Sequence, residues 1–385
     1  MNTLLKMSAL TLGFLSFIAC EAREKKQEPT IAVLNTDIPR PNKQFIKVAL
    51  LLDTSNSMDG LIDQAKAQLW EIVNELSYAK CAGLKPNLQI ALYEYGNNNL
   101  NGDEGYIRQV LGFSQDLDEI SKALFSLTTQ GGNEYCGQVI KTALDQLKWV
   151  TNPDDLKLIF IAGNEPFTQG HISYKDASKL ALTKDVTVNT IFCGDYNQGI
   201  SSYWKDGADL TYGNYMAINH NYETVHIASP FDDKILELNK KLNKTYVAYG
   251  SAGQQKMALQ AEQDGNAYVY SEANAVSRAV SKSSHLYKNE SWDLIDASED
   301  ESFEYEELKE SDLPKALQGK SEPQIKLYLS KKREERKNIQ DQIQDLNLKR
   351  KQYILEQQTQ GENNLEKAML NALKTQAKKK NYNWE

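Results

Sequence analysis

Five apolar residues in unbroken succession, Val48-Ala49-Leu50-Leu51-Leu52, constrain this chain more than any other feature. A strand with one wet face alternates apolar and polar residues, whereas a continuous run marks a strand buried on both faces, as in parallel sheets covered by helices on each side. A helical pattern follows, with Leu61, Ala65, Leu69, Ile72, Val73 and Leu76 on one face. The alternation then repeats. Leu88–Tyr95, Tyr106–Phe113, Lys157–Ala162, Val186–Phe192 and Thr224–Ala228 read as strands, and 116–127, 137–147 and 174–182 as helices. Strands alternating with helices predict an α/β fold: a doubly wound, mostly parallel sheet flanked by helices, with ligands bound beyond the strands' carboxyl ends.

The flanking segments read differently. Residues 1–19 carry Lys6 and a short apolar stretch, then Ser16-Phe17-Ile18-Ala19-Cys20. That ending resembles a bacterial lipobox, which implies a signal peptide over 1–19, acylation of Cys20 and an exported protein held on a membrane by lipid. Residues 20–44 are charged, with prolines near their end, and read as a lipidated tether. The sheet domain is expected over 45–230, with a partly helical extension packed on it over 231–285. Residues 286–313 hold eleven acidic side chains against Lys288 and Lys309 and are expected to be a solvated linker. The tail, 314–385, is a charged, long α-helical segment from Pro323 to about Gln360. Leu329, Ile339, Ile343, Leu346 and Tyr353 form a weak coiled-coil seam there, interrupted by Lys332, Arg336 and Arg350, and a shorter helix follows over Leu365–Leu373. Self-association through the long helix is one reading of that tail. The whole chain has a formal charge of −8 and a pI near 5.3, which argues against a nucleic-acid partner held by basic charge.

Chemistry concentrates where the first strand ends, in Asp53-Thr54-Ser55-Asn56-Ser57. A turn leaving a strand can bring Asp53, Ser55 and Ser57 into one cup of hard oxygens, which suits Mg²⁺ or Mn²⁺ and, with more ligands, Ca²⁺. The same residues also cap helices. An apolar strand running into Asp-x-Ser-x-Ser and then a helix resembles the metal-ion-dependent adhesion site of von Willebrand factor type A domains. The resemblance covers residues 45 to about 230. Its implied second loop is Gly131-Gly132-Asn133-Glu134, where Glu134, or Asn133 if the loop shifts by one, stands in place of the family's threonine. Its implied third loop is Gly163-Asn164-Glu165, which lacks the family's aspartate, so that Asn164 or Glu165 would serve. The wording of 92–96, 131–137 and 162–167 looks like that of a bacterial lipoprotein subgroup. Two carboxylates from the protein, Asp53 and Glu134, would neutralise a divalent ion and weaken its pull on an acidic partner.

Of the three cysteines beyond Cys20, topology favours a disulfide between Cys136 and Cys193 with Cys81 free; three buried thiols are the alternative. No nucleophile elbow, zinc-binding helix or phosphate loop is present, and the four histidines lack ligand spacing. The expected function is therefore not enzymatic. It is metal-dependent binding of an envelope or extracellular protein by a membrane-anchored domain, with Asp53, Ser55, Ser57, Glu134 and Asn164 as metal ligands. The alternatives are a scaffold that binds through its C-terminal helix and, behind it, a metal-dependent hydrolase.

Overall fold

The computed structural model describes residues 44–149, 152–219, 227–300, 302–357 and 365–384. In chain order the elements are β1 (Phe45–Asp53), α1 (Asp59–Leu76), β2 (Ala79–Cys81), β3 (Asn87–Tyr95), β4 (Ile107–Ser114), α2 (Leu117–Phe125), α3 (Cys136–Gln146), β5 (Leu156–Gly163), α4 (Tyr174–Thr183) and β6 (Thr187–Cys193). They continue with α5 (Tyr196–Ser201), α6 (Trp204–Asp209), β7 (Tyr215–Ile218), α7 (Asp232–Asn243), α8 (Gly253–Tyr270), α9 (Glu272–Lys282), α10 (Leu294–Ala297), α11 (Glu322–Gln357), α12 (Leu365–Lys378) and β8 (Tyr382–Trp384).

Six strands form one sheet in the order β4-β3-β1-β5-β6-β7, parallel except for β4 at the edge. The apolar run of β1 sits at its centre, and its side chains alternate between two cores. Ile46, Val48 and Leu52 pack with α1, α2, α7, α9 and α12, while Ala49 and Leu51 pack with α3, α4 and Trp204 of α6. Both faces are covered, as the continuous apolar pattern requires.

Two expectations need qualifying. Among the described residues the sheet ends at β7; of the expected strand Thr224–Ala228, Ile227 and Ala228 are irregular and the rest lies outside the described residues. The short helices α5 and α6 precede β7, and their Gly-interrupted, aromatic sequence carries no helical period. The first part of the acidic stretch is folded into the molecule, while most of its carboxylates from Glu299 onward are exposed. Trp292, Leu294, Ile295 and Ala297 are buried, and the Asp293 carboxylate accepts from the Val247 amide at 2.6 Å. Residues 1–43, including Cys20 and most of the tether, lie outside the description.

The 36-residue helix α11 lies along this same chain. Leu329, Ile339 and Ile343 of the expected seam are buried inside the molecule. The basic residues that interrupt the seam are its anchors. Arg336 bonds Asp293 at 2.6 Å and Asp296 at 2.5 Å and stacks on Tyr246, and Arg350 bonds Asp232 at 3.0 Å. Arg278 of α9 plays the same part toward the sheet domain, held by Asp118 of α2 at 2.8 Å and Asp264 of α8 at 2.6 Å. Breaking one partner of such a buried pair strands the other charge, so these contacts fix where the extension sits. After α11, α12 buries Leu365, Met369, Ala372 and Leu373 against α1, and β8 pairs with β2. No helix among the described residues is long and apolar enough to cross a membrane.

Candidate metal centre

The site lies where β1, β3 and β5 end. The register sets Asp53 beside Tyr95, the last residues of β1 and β3, and β5 brings Gly163 to the same edge. Asp53 is 0 % exposed, and its Oδ1 accepts the Ser55 amide at 2.7 Å, closing the turn that aims the loop across the strand ends. Ser55 Oγ and Ser57 Oγ are 3.3 Å apart, and Asn164 Nδ2 donates to Ser57 Oγ at 3.1 Å. Glu134, 4 % exposed at the approach to α3, lies against Asp53 and Ser55, and its charge acts on the Asp53 carboxyl. The five residues singled out by the sequence, Asp53, Ser55, Ser57, Glu134 and Asn164, thus meet in one cup.

Close approach depends on small residues. Gly96, at φ +78°, follows β3; a Cβ there would lie 2.7 Å from Glu134 Cγ and 2.8 Å from Asp53 Oδ1. A Cβ on Gly132 would meet the Gly96 carbonyl oxygen at 2.4 Å, and one on Gly163 the Tyr95 hydroxyl at 2.5 Å. Gly131–Gly132 is held by the Asn56 side chain, which accepts the Gly131 amide at 2.7 Å, and the Glu134 amide donates to Gln169 at 2.9 Å. The sequence assigned no role to Gly96, Asn56 or Gln169. Only the Tyr95-Gly96 strand end signalled the first, and the other two act across long separations with no local mark.

The electrostatics are unusual for a protein interior. Burial first, then the charge of Glu134, push the Asp53 carboxyl well above the usual carboxylate range. Burial also raises Glu134, with Glu165 adding to it. Neither makes an ion pair among the described residues. Each keeps one buried oxygen without a hydrogen-bond partner, Asp53 Oδ2 and Glu134 Oε2, and Asn164 Oδ1 is a third. Buried polar atoms are nearly always satisfied, so three orphaned oxygens in one cup need a reason. Two facing carboxyls with hydroxyl and amide oxygens form the donor set of a hard divalent cation, and the residues fit one.

Two buried thiols flank the cup. Cys136 lies beside the Tyr95 hydroxyl, and Cys193 belongs to the core on the other face of the sheet. Both are free, so the expected disulfide is not formed; the sheet runs between them. Beside the third loop, the Phe167 amide donates to Ser202 O at 2.9 Å and Trp204 Nε1 to Glu165 O at 2.8 Å, docking the α5–α6 segment at the rim. Tyr196 and Tyr203 there are half exposed, and Tyr203 adopts a left-handed φ of 70°. Such backbone costs a non-glycine residue energy and persists only when its surroundings hold it.

Residues 47–202 match the model of the von Willebrand factor type A domain. No curated protein matches the chain. Among solved structures it is similar to proximal thread matrix protein 1 from the mussel byssus (15 % identity, 45 % of this chain and 41 % of that one, TM-score 0.34). It is also similar to the conserved hypothetical protein BatB from Bacteroides thetaiotaomicron (16 %, 45 % and 90 %, 0.34) and to the SpRpn10 VWA domain (16 %, 45 % and 87 %, 0.33). The chain thus spans about two-fifths of the mussel protein's length. With a central parallel sheet, an antiparallel edge strand and helices on both faces, residues 47–202 of this chain are a von Willebrand factor type A domain.

Proposed function

We propose that this protein is a binding protein of a bacterial envelope, lipid-anchored through Cys20, whose domain holds Mg²⁺ or Mn²⁺ and uses it to engage another envelope or extracellular protein. Asp53, Ser55, Ser57, Glu134 and Asn164 hold the ion. The observation that carries the reading is the trio of unpartnered buried oxygens, Asp53 Oδ2, Glu134 Oε2 and Asn164 Oδ1, in an acidic cup without a basic counter-charge. A divalent cation supplies the missing charge and coordinates those oxygens together.

The ion here is a recognition element rather than a reagent. Hydrolysis would need a poised base near a metal-held water, and no residue at the cup stands out as one. The scaffold reading has less to rest on, because Leu329, Ile339 and Ile343 of the α11 seam are buried within the chain, with Leu346 and Tyr353 partly exposed. Calorimetric titration of the full chain with Mg²⁺ and Mn²⁺, beside Asp53→Ala, tests the proposal. Saturable binding in the wild type and none in the folded variant supports it; no binding in either ends it.

A further inference from the structure

The cup stands in an acidic rim, and that rim bears on what the ion can accept. The loops at this edge, residues 53–59, 96–106, 128–135, 164–171 and 194–203, hold Asp53, Asp59, Asp103, Glu104, Glu134, Glu165 and Asp195, with no lysine or arginine among them. Glu165 is exposed in the third loop, directly after Asn164, and its charge acts on Glu134. The remaining polar groups are hydroxyls, the imidazole of His171 and many carboxamides, among them Asn56, Asn98, Asn99, Gln130, Asn133 and Asn164. Acidic loops alone would be a solvated edge. Here they surround two buried carboxyls with unpartnered oxygens, which point to a cation as their ligand.

We infer that Glu134 sets the class of ligand the ion takes: the loaded site excludes carboxylates and keeps its outer position for water or an uncharged oxygen of the partner. This rests on the metal reading above. Asp53 and Glu134 together cancel the charge of a divalent ion. A carboxylate arriving as a further ligand would then add its own negative charge beside Glu165 and Asp59 with nothing to offset it. A hydroxyl or amide oxygen brings a dipole and no net charge, so it enters without that repulsion. Glu134 is therefore a specificity-determining residue as well as a ligand, acting against one class of partner.

The test uses the full chain loaded with Mn²⁺ and reads the paramagnetic relaxation of solvent water, which reports water on the ion. Sodium acetate is the probe, titrated at constant ionic strength. In the wild type acetate should leave the relaxation unchanged across a range where Glu134→Gln, loaded to the same extent, loses it. The midpoint in the variant should be lower by about tenfold or more, the size expected from removing one charge within a few ångströms of the ion. Glu165→Gln, which leaves the cup's ligands in place, should lower the midpoint by a smaller factor and covers the case of a Glu134 variant that binds no metal. Acetate displacing water from the wild type as readily as from both variants would overturn the inference while leaving metal binding intact. Failure of the wild type to bind Mn²⁺ at all would remove both.

Discussion

Replacing Glu134 with Gln should stabilise the metal-free protein, the opposite of what a substitution at a buried, hydrogen-bonded residue normally does. Asp53 and Glu134 are buried against each other, and among the described residues no basic side chain pairs with either. Two unit charges about 4 Å apart at an effective dielectric near 20 repel by about 4 kcal/mol. Holding a proton between the two raised carboxyls relieves part of this near neutrality, leaving an expected gain of about 1–3 kcal/mol for Glu134→Gln. Typical point substitutions lose about 1 kcal/mol, so the sign alone discriminates. The sign with pH follows from the same shifts. Both folded-state values lie above the unfolded ones, so the folded state binds more protons. Stability of the metal-free wild type is then full below about pH 4 and falls as pH rises through the folded values. Urea denaturation in chelator at pH 5 and pH 8 should show that fall in the wild type and a shallower one in the variant. Saturating Mg²⁺ should reverse the ranking, because an ion bound only by the folded state stabilises it by mass action. A variant less stable than wild type in chelator at pH 8 would refute the view of the pair as a self-repelling cup that a cation completes.

Gly96→Ala should abolish the Mg²⁺-induced thermal shift in a protein that still folds, since the new methyl meets Glu134 Cγ and Asp53 Oδ1 below 3 Å in a left-handed backbone; an unchanged shift would show that the cup tolerates it. Thiol titration should find Cys81, Cys136 and Cys193 unreactive in the native protein and all three reactive in guanidinium without reductant, whereas a Cys136–Cys193 bond would leave one. Deleting residues 358–385 removes α12 and exposes the α1 surface under Leu365, Met369 and Leu373, each contributing about 1.5–3 kcal/mol by burial. The sum is comparable with the whole stability of an ordinary domain, so circular dichroism and proteolysis should report an unfolded or aggregated chain rather than a folded one lacking a tail.

The dependence on α12 changes how the C-terminal half is understood. Arg278, Arg336 and Arg350 each carry a guanidinium into the interior and find aspartates waiting there, Asp118 and Asp264, Asp293 and Asp296, and Asp232. Several of the carboxylates that make residues 286–313 look like a solvated linker are the partners of a helix some forty residues later. The acidic stretch and α11 thus meet in buried pairs, Arg336 with Asp293 and Asp296, as well as in the exposed pair of Arg333 with Glu299.

What could be read from the chain alone was whatever depends on neighbours within a few residues. The unbroken run at 48–52 demanded a strand covered on both sides, the period of α1 named its buried face, and Asp53-x-Ser-x-Ser placed oxygens at the one edge where strands of a parallel sheet open. Glu134 and Asn164 could be nominated only through the family resemblance, whose second and third site loops fall at those positions. Everything that rests on long separations was decided by packing. Gly96 owes its importance to two carboxyls that fold against it from other loops. The two thiols that seemed paired are divided by a sheet whose two cores nothing local distinguishes. Arg336 and Arg350 spoil an apolar period in one dimension and complete buried ion pairs in three. Periodicity records which face of an element avoids water; it carries no record of which distant charge will stand opposite, and here that pairing holds the extension to the domain.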